Sequence, residues 1–224
     1  MKLYYHPVST TCLMIRMFAA EEGITLDYRV IDLMQGEQRQ PAYLQINPNG
    51  LVPALDDDGF VLTESGAILR YLAGKSVSPA YPQELQERAR VDEMMEWFYS
   101  NFYKDLGYGL VYPQLFPHHR RPGEEAQSVT VEWGRDKARH WLGLLDRQLS
   151  GSERRFLLGD RPTLADYVGA EMVNLGALVH CAYRDYPEVC RWLGNMKALP
   201  YWAEVHEMSD GFAASLGDKQ FVSI

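Results

Sequence analysis

The chain has 224 residues, of which 46% are hydrophobic and 23% charged, with a net charge of −8. That length suits one large domain or two modest ones with an ample core, and the composition is that of an ordinary globular protein. The acidic balance argues against general nucleic-acid binding, and no apolar run approaches the ~20 residues of a membrane span.

Lys2–Tyr5 reads as a short strand, after which His6-Pro7 interrupts any signal-peptide core. Residues 9–22 read as a helix, with Leu13, Ile15, Met17 and Phe18 apolar and Gly23 as its stop. A second strand is expected at 27–31, and a weak polar helix or loop at 38–45. Val52-Pro53-Ala54-Leu55, then Asp57-Asp58-Gly59, then Phe60-Val61-Leu62 form a hairpin with a glycine turn. A helix at 65–74 completes the order βαβαββα. Ser76-Val77-Ser78-Pro79-Ala80-Tyr81-Pro82 has no periodicity and reads as a linker. Everything beyond reads as helix. The first, 84–106, carries Val91, Met94, Met95, Phe98 and Phe102 at helical spacing, and Trp97 shares it. Three prolines make 112–123 a break, and helices follow at 124–149, 163–181, 188–198 and 201–208. A mixed α/β half followed by an all-α half implies two packed subdomains. Cys12, Cys181 and Cys190 are odd in number and widely spaced. They give no disulfide framework and no metal spacing, so a reducing cytoplasm is the default, with Cys181 and Cys190 expected in helix core.

The most informative stretch is Asn47-Pro48-Asn49-Gly50-Leu51-Val52-Pro53-Ala54-Leu55, followed closely by Thr63-Glu64-Ser65-Gly66. Pro53 opens a hydrophobic strand, where its missing N–H is tolerable, and an X-Pro bond at such a turn can be cis. A cis turn would leave the Val52 N–H and C=O free to pair with an extended peptide as one more strand. Glu64 supplies a carboxylate for an ammonium group. Ser65, at a helix start, supplies a hydroxyl and backbone N–H groups for a carboxylate. Together they suit a small peptide carrying both charges; the plain alternative is an ordinary strand start and N-cap. Thr163-Leu164-Ala165-Asp166 reads as a capping box, with Thr163 as N-cap and Asp166 reaching back, a structural rather than catalytic role.

In this order and spacing the chain resembles the cytosolic glutathione transferase family over nearly its whole length. The resemblance rests on the βαβαββα order, Leu51-Val52-Pro53-Ala54-Leu55, Glu64-Ser65 with Ala67-Ile68-Leu69, and Thr163-Leu164-Ala165-Asp166. The start, Tyr4-Tyr5-His6-Pro7-Val8-Ser9-Thr10-Thr11-Cys12, is most similar to the serine-using theta and delta classes and their bacterial relatives. The resemblance implies a thioredoxin-like, glutathione-binding domain at 1–76, a linker at 77–84 and an all-α domain at 85–224 that completes the electrophile site. It implies a cytoplasmic homodimer whose partners are glutathione, as co-substrate, and a small hydrophobic electrophile. No other cofactor, metal, nucleic acid or membrane is expected.

Ser9 lies where the family's thiolate-holding serine lies. The thiolate is the nucleophile, and a hydrogen bond to it plus a positive helix end favour the charged form. The bland possibility is a plain N-cap. Thr10 and Thr11 are rival hydroxyls, Thr10 the better. Cys12 is either a core residue or, in a rival reading, the nucleophile of a thiol-exchange enzyme. By resemblance, Val52 pairs with the cysteinyl unit across Pro53, Glu64 takes the γ-glutamyl ammonium and Ser65 its carboxylate. Two departures stand out. The loop before Pro53, where the family often carries Lys, His or Gln for the glycine carboxylate, is Asn49-Gly50-Leu51, with only Asn49 polar. Gly66 replaces the arginine of some serine-class members, leaving Gln38 and Arg39 as substitutes. The electrophile wall is expected from Tyr103, Tyr108, Tyr112 and Phe116, with His6 beside the Ser9 loop and Phe212 folding back in the tail. His118-His119 is expected in a solvated loop without metal geometry. A non-catalytic binding module on the same fold is the remaining alternative.

Overall fold

The computed structural model describes residues 1–151 and 154–224. Four strands, β1 (Lys2–Tyr5), β2 (Asp27–Val30), β3 (Ala54–Asp57) and β4 (Phe60–Thr63), form one mixed sheet in the order β2-β1-β3-β4. β1 is parallel to β2 and antiparallel to β3, so fully buried Leu3 stands between Tyr28 and Leu55. The β3–β4 turn is Asp58-Gly59, with φ of 52° and 93°, the positive pair that a two-residue type I′ hairpin requires. Helix α1 (Thr10–Glu21) connects β1 to β2, and α3 (Ser65–Ser76) follows β4. Their apolar stripes, with Leu13 and Phe18 on one and Ile68, Leu69 and Leu72 on the other, share one core with the sheet. Between β2 and β3 the weak helix is a 3₁₀ turn at Glu37–Arg39 and a single α turn, α2 (Pro41–Leu44). This half is thioredoxin-like.

The helical half departs from the sequence reading at its first helix. α4 (Leu85–Trp97) does not stop near 106. It continues in π winding through Phe98–Phe102 and Lys104–Val111 and finishes as α5 (Tyr112–Leu115). Pro113 does not break it; it lies where the π winding gives way to the α winding of α5. The expected break shrinks to residues 116–123 before α6 (Glu124–Leu149). A Cβ on Gly109 would lie 2.8 Å from the Gly134 Cα of α6, so only glycine permits the two helices to cross this closely.

α7 (Leu164–Asn174) gives way to a 3₁₀ turn at Leu175–Val179 instead of running to 181. α8 (Pro187–Lys197) and α9 (Trp202–Ala214) complete the chain, and α9 runs on past 208. Cys190 is exposed and Cys181 half-buried, against the expectation of helix core. The buried stripe of α8 is Val189, Trp192, Leu193 and Met196, which leaves Cys190 beside it. The two halves meet through α1 and α7, where Phe18 and Tyr167 pack edge to face at 5.5 Å. Among the described residues no helix is long and apolar enough to cross a membrane.

Candidate functional site

A cavity of about 500 Å³ lies between the two halves. The loop between β1 and α1, the turn before β3 and the start of α3 line one wall. The π-wound segment, α5 and α9 line the other.

Ser9 is the N-cap residue of α1, yet its side chain makes no capping bond. Its Oγ lies 3.2 Å from Thr11 Oγ1, and the Thr11 hydroxyl donates to the Val52 carbonyl at 3.3 Å. The first N–H groups of a helix have no partner inside it, so hydroxyl and positive helix end converge on the cavity. Thr10 also lines the cavity but is buried, and its hydroxyl helps lower the Tyr112 phenol pKa against burial. Thr11, not Thr10, is therefore the neighbour of Ser9. Cys12 is buried in the core. Burial pushes its thiol up to about 11, with the Ser9 hydroxyl offsetting part of the rise.

The Val52–Pro53 peptide is cis, and both residues line the cavity with Leu51. The Leu51 carbonyl accepts from the Tyr43 hydroxyl at 2.6 Å and from Asn47 Nδ2 at 2.7 Å. Asn49 is exposed and does not line the cavity; its N–H donates to Asn47 Oδ1. The polar side chain turned inward is that of Asn47, anchoring the turn. Gln38 and Arg39 both line the cavity, and Gln38 Oε1 is buried without a hydrogen-bond partner.

Glu64 caps α3 at φ 65° and ψ 116°, a backbone region that non-glycine residues rarely hold outside functional sites. Glu64 and Ser65 line the cavity together. Ser65 is buried, and its Oγ lies 2.7 Å from the Tyr99 hydroxyl. Tyr99, in the first π-wound stretch, also lines the cavity, and sequence reasoning missed it.

The opposite wall is aromatic. Tyr103, Tyr108 and Tyr112 pack edge to face with centroids 5.2 to 6.0 Å apart. The Tyr103 and Tyr112 hydroxyls share a 2.6 Å hydrogen bond. Phe116 packs on Tyr112 at 5.7 Å. Phe212 reaches the cavity from α9, not from a loose tail. The histidine pair is not simply solvated. Both line the cavity, and His119 stacks on Tyr112 at 5.3 Å. A 3₁₀ turn at Pro117–His119 folds them back, and burial holds the His119 imidazole below its ordinary value, with His118 and Arg121 adding to the fall. His6 lines the cavity with its buried Nδ1 unpartnered; burial lowers its pKa against an opposing pull from Asp32.

Thr163 and Asp166 lie away from the cavity. Asp166 Oδ2 accepts from the Thr163 N–H and hydroxyl, and Oδ1 from the Leu157 N–H and Trp192 Nε1, all within 2.9 Å. Burial raises the Asp166 pKa against these bonds. This is a tie between helices, with no opening for a reactant.

Two family models match the chain: "Glutathione S-transferase, N-terminal domain" over residues 1–74 and "Glutathione S-transferase, C-terminal domain" over residues 110–200. The chain is 35% identical to human glutathione S-transferase theta-2 over 205 residues, 89% of this chain and 81% of that one. It is 46% identical to mouse theta-3 over 223 residues, 93% and 88% of the two chains. Human theta-2, solved in complex with glutathione and an unknown ligand, superposes with a TM-score of 0.82 at 30% identity, covering 100% of this chain and 93% of that one. A delta-class glutathione transferase of Nilaparvata lugens gives 0.80 at 29% identity, covering 96% and 98%.

Proposed function

This chain belongs to the glutathione transferase family, and from that premise we propose that Ser9 holds the glutathione thiolate for attack on a small hydrophobic electrophile. The supporting observation is the Ser9 hydroxyl, free of capping duty, at the positive end of α1 and on the cavity wall. A hydrogen bond from that hydroxyl, with the helix field, lowers the thiol pKa. The thiol proton leaves to water. The sulfur then forms its bond to the electrophilic carbon, either expelling a leaving group with its electron pair or adding to a polarised double bond, whose far carbon then takes a proton from water.

Glu64 takes the γ-glutamyl ammonium and Ser65 the γ-glutamyl carboxylate. Val52 pairs its main chain with the cysteinyl unit. Gln38 and Arg39 serve the glycine end: Arg39 brings a cation, and a half-turn of the Gln38 amide presents its NH₂ where the unpartnered oxygen lies. The three tyrosines, Phe116, His119 and Phe212 shield the acceptor from water. In this reading residues 1–76 form the glutathione-binding domain, 77–84 the linker and 85–224 the domain that completes the acceptor site, in a cytoplasmic homodimer. Thiol exchange through Cys12 is disfavoured by its burial.

The test is a glutathione titration by calorimetry on wild type and Ser9→Ala, with turnover of an aryl halide. Retained binding with most of the rate lost in Ser9→Ala supports the reading. No binding by wild type at millimolar glutathione sinks it.

A further inference from the structure

The bare backbone of Gly66 is covered by Tyr99 from the other half of the molecule and by Arg70 of α3, whose Nη1 would stand 3.3 Å from a Cβ there. A Cβ on Gly66 would stand 3.1 Å from Tyr99 Cε2 and 3.4 Å from the Tyr99 hydroxyl. The tyrosine ring therefore seats on the bare glycine backbone. From there its hydroxyl reaches Ser65 Oγ at 2.7 Å and the Met14 sulfur at 3.2 Å. Arg70 of α3 fastens α4 in place, bonding Asp92 at 2.7 Å and Glu96 at 3.1 Å. Glycine at 66 and tyrosine at 99 thus form one device.

We infer that Tyr99 is a positioning residue for glutathione, ordering the Ser65 hydroxyl for the γ-glutamyl carboxylate from across the boundary between the two halves. The inference rests on the proposed role of Ser65. A serine hydroxyl has one proton to give. If Tyr99 donates to Ser65 Oγ, the Ser65 proton is directed to the carboxylate, and the two bonds strengthen each other. A thioether is a weak acceptor, so turning the phenol proton from Met14 to Ser65 gives up little. Burial keeps the phenol protonated, raising its pKa against the Ser65 hydrogen bond. It remains a donor throughout the working pH range.

The test is steady-state kinetics on Tyr99→Phe, which keeps the ring on Gly66 and deletes only the hydroxyl. The KM for glutathione should rise about threefold to tenfold, the worth of one hydrogen bond, with kcat changed less than twofold and the acceptor KM unmoved. The second arm uses γ-aminobutyryl-cysteinyl-glycine, which lacks only the γ-glutamyl carboxylate. With it, wild type and Tyr99→Phe should share one KM. An unchanged glutathione KM in Tyr99→Phe overturns the inference. So does an equal rise with the analogue, which would mark Tyr99 as merely structural. If wild type and Ser65→Ala both treat the analogue like glutathione, the placement of the carboxylate at Ser65 is itself wrong, and the inference falls with it.

Discussion

Tyr103 and Tyr112 share a 2.6 Å hydroxyl–hydroxyl hydrogen bond in the wall of the cavity. The Thr10 hydroxyl also acts on Tyr112, lowering its phenol pKa against burial, whereas among the described residues Tyr112 is the hydrogen-bond partner of the Tyr103 hydroxyl. Burial pushes the Tyr103 phenol well above its ordinary value, and its tyrosine neighbours add to this. Tyr112→Phe removes the partner of the half-buried Tyr103 hydroxyl, at a cost of about 1 kcal/mol, and should lower the urea midpoint. Tyr103→Phe leaves Tyr112 the Thr10 hydroxyl and should cost less. Tyr108, 47% exposed, behaves differently: Tyr108→Ala should raise the KM for a hydrophobic acceptor and leave the urea midpoint unchanged. Equal midpoints for the Tyr103 and Tyr112 variants would contradict the asymmetry.

Thr11 bridges Ser9 and the Val52 carbonyl. Thr11→Val removes both contacts and keeps the shape. Ser9 then loses a neighbour that limits its rotation, and kcat should fall by about fivefold, near 1 kcal/mol of positioning. Thr10→Val touches the tyrosine pair instead and should act mainly on acceptor KM. A larger kcat loss at Thr10 than at Thr11 would reverse their roles.

What was legible in the sequence was local. Pro53, Asp58-Gly59 and Glu64-Ser65 act through their own backbones, so hairpin and helix start could be read directly. The α6 boundaries were equally plain, because the pattern from Glu124 to Leu149 is uninterrupted. The π winding was not. Tyr103 and Tyr108 are five apart, which α winding would turn away from each other, whereas an i→i+5 bond brings them to one side. Nothing in their spacing announces that choice. Tyr99 was hidden for a related reason: an aromatic residue in a helix reads as core, and its partner Gly66 carries no side chain to signal the contact. Asn49 misled because polarity was visible while its outward direction was not. His119 misled because its stacking partner lies seven positions back, across a turn.

The cysteines give a chemical check on burial. Burial pushes the Cys12 thiol up to about 11, so at pH 7 it stays in the unreactive thiol form. Cys190 is exposed. Mapping of iodoacetamide adducts at pH 7.5 should find Cys190 alkylated first and Cys12 untouched until the protein unfolds. Cys12→Ala should retain its transferase rate, at a stability cost typical of a small core truncation. Prompt Cys12 alkylation in the native state would revive the thiol-exchange reading.

The last prediction concerns His206 and Glu171, which tie α9 to α7 out of contact with water. His206 Nε2 lies 2.9 and 3.0 Å from the two Glu171 carboxylate oxygens, and its Nδ1 lies 2.8 Å from the Trp202 carbonyl. Burial pulls the His206 pKa down, but the Glu171 bond and charge, the Trp202 carbonyl and Asp210 outweigh it and hold the group above its ordinary value. Burial lifts Glu171 above its ordinary value, against His206 and Lys197 and with help from Asp210. Both groups hold protons more tightly folded than unfolded, so both make stability fall as pH rises. The histidine contribution is whole below about pH 6.5 and is lost as pH climbs through its raised folded value. Tm should therefore decline from near neutral upward, and the decline should flatten in a His206→Leu, Glu171→Gln double variant. His206→Leu alone leaves a buried carboxyl without its partner and should cost about 3–5 kcal/mol. Because α9 also carries Phe212 on the cavity wall, that variant should raise acceptor KM more than glutathione KM. A Tm flat from pH 6 to 9 in wild type would show that the pair holds no proton preferentially in the fold.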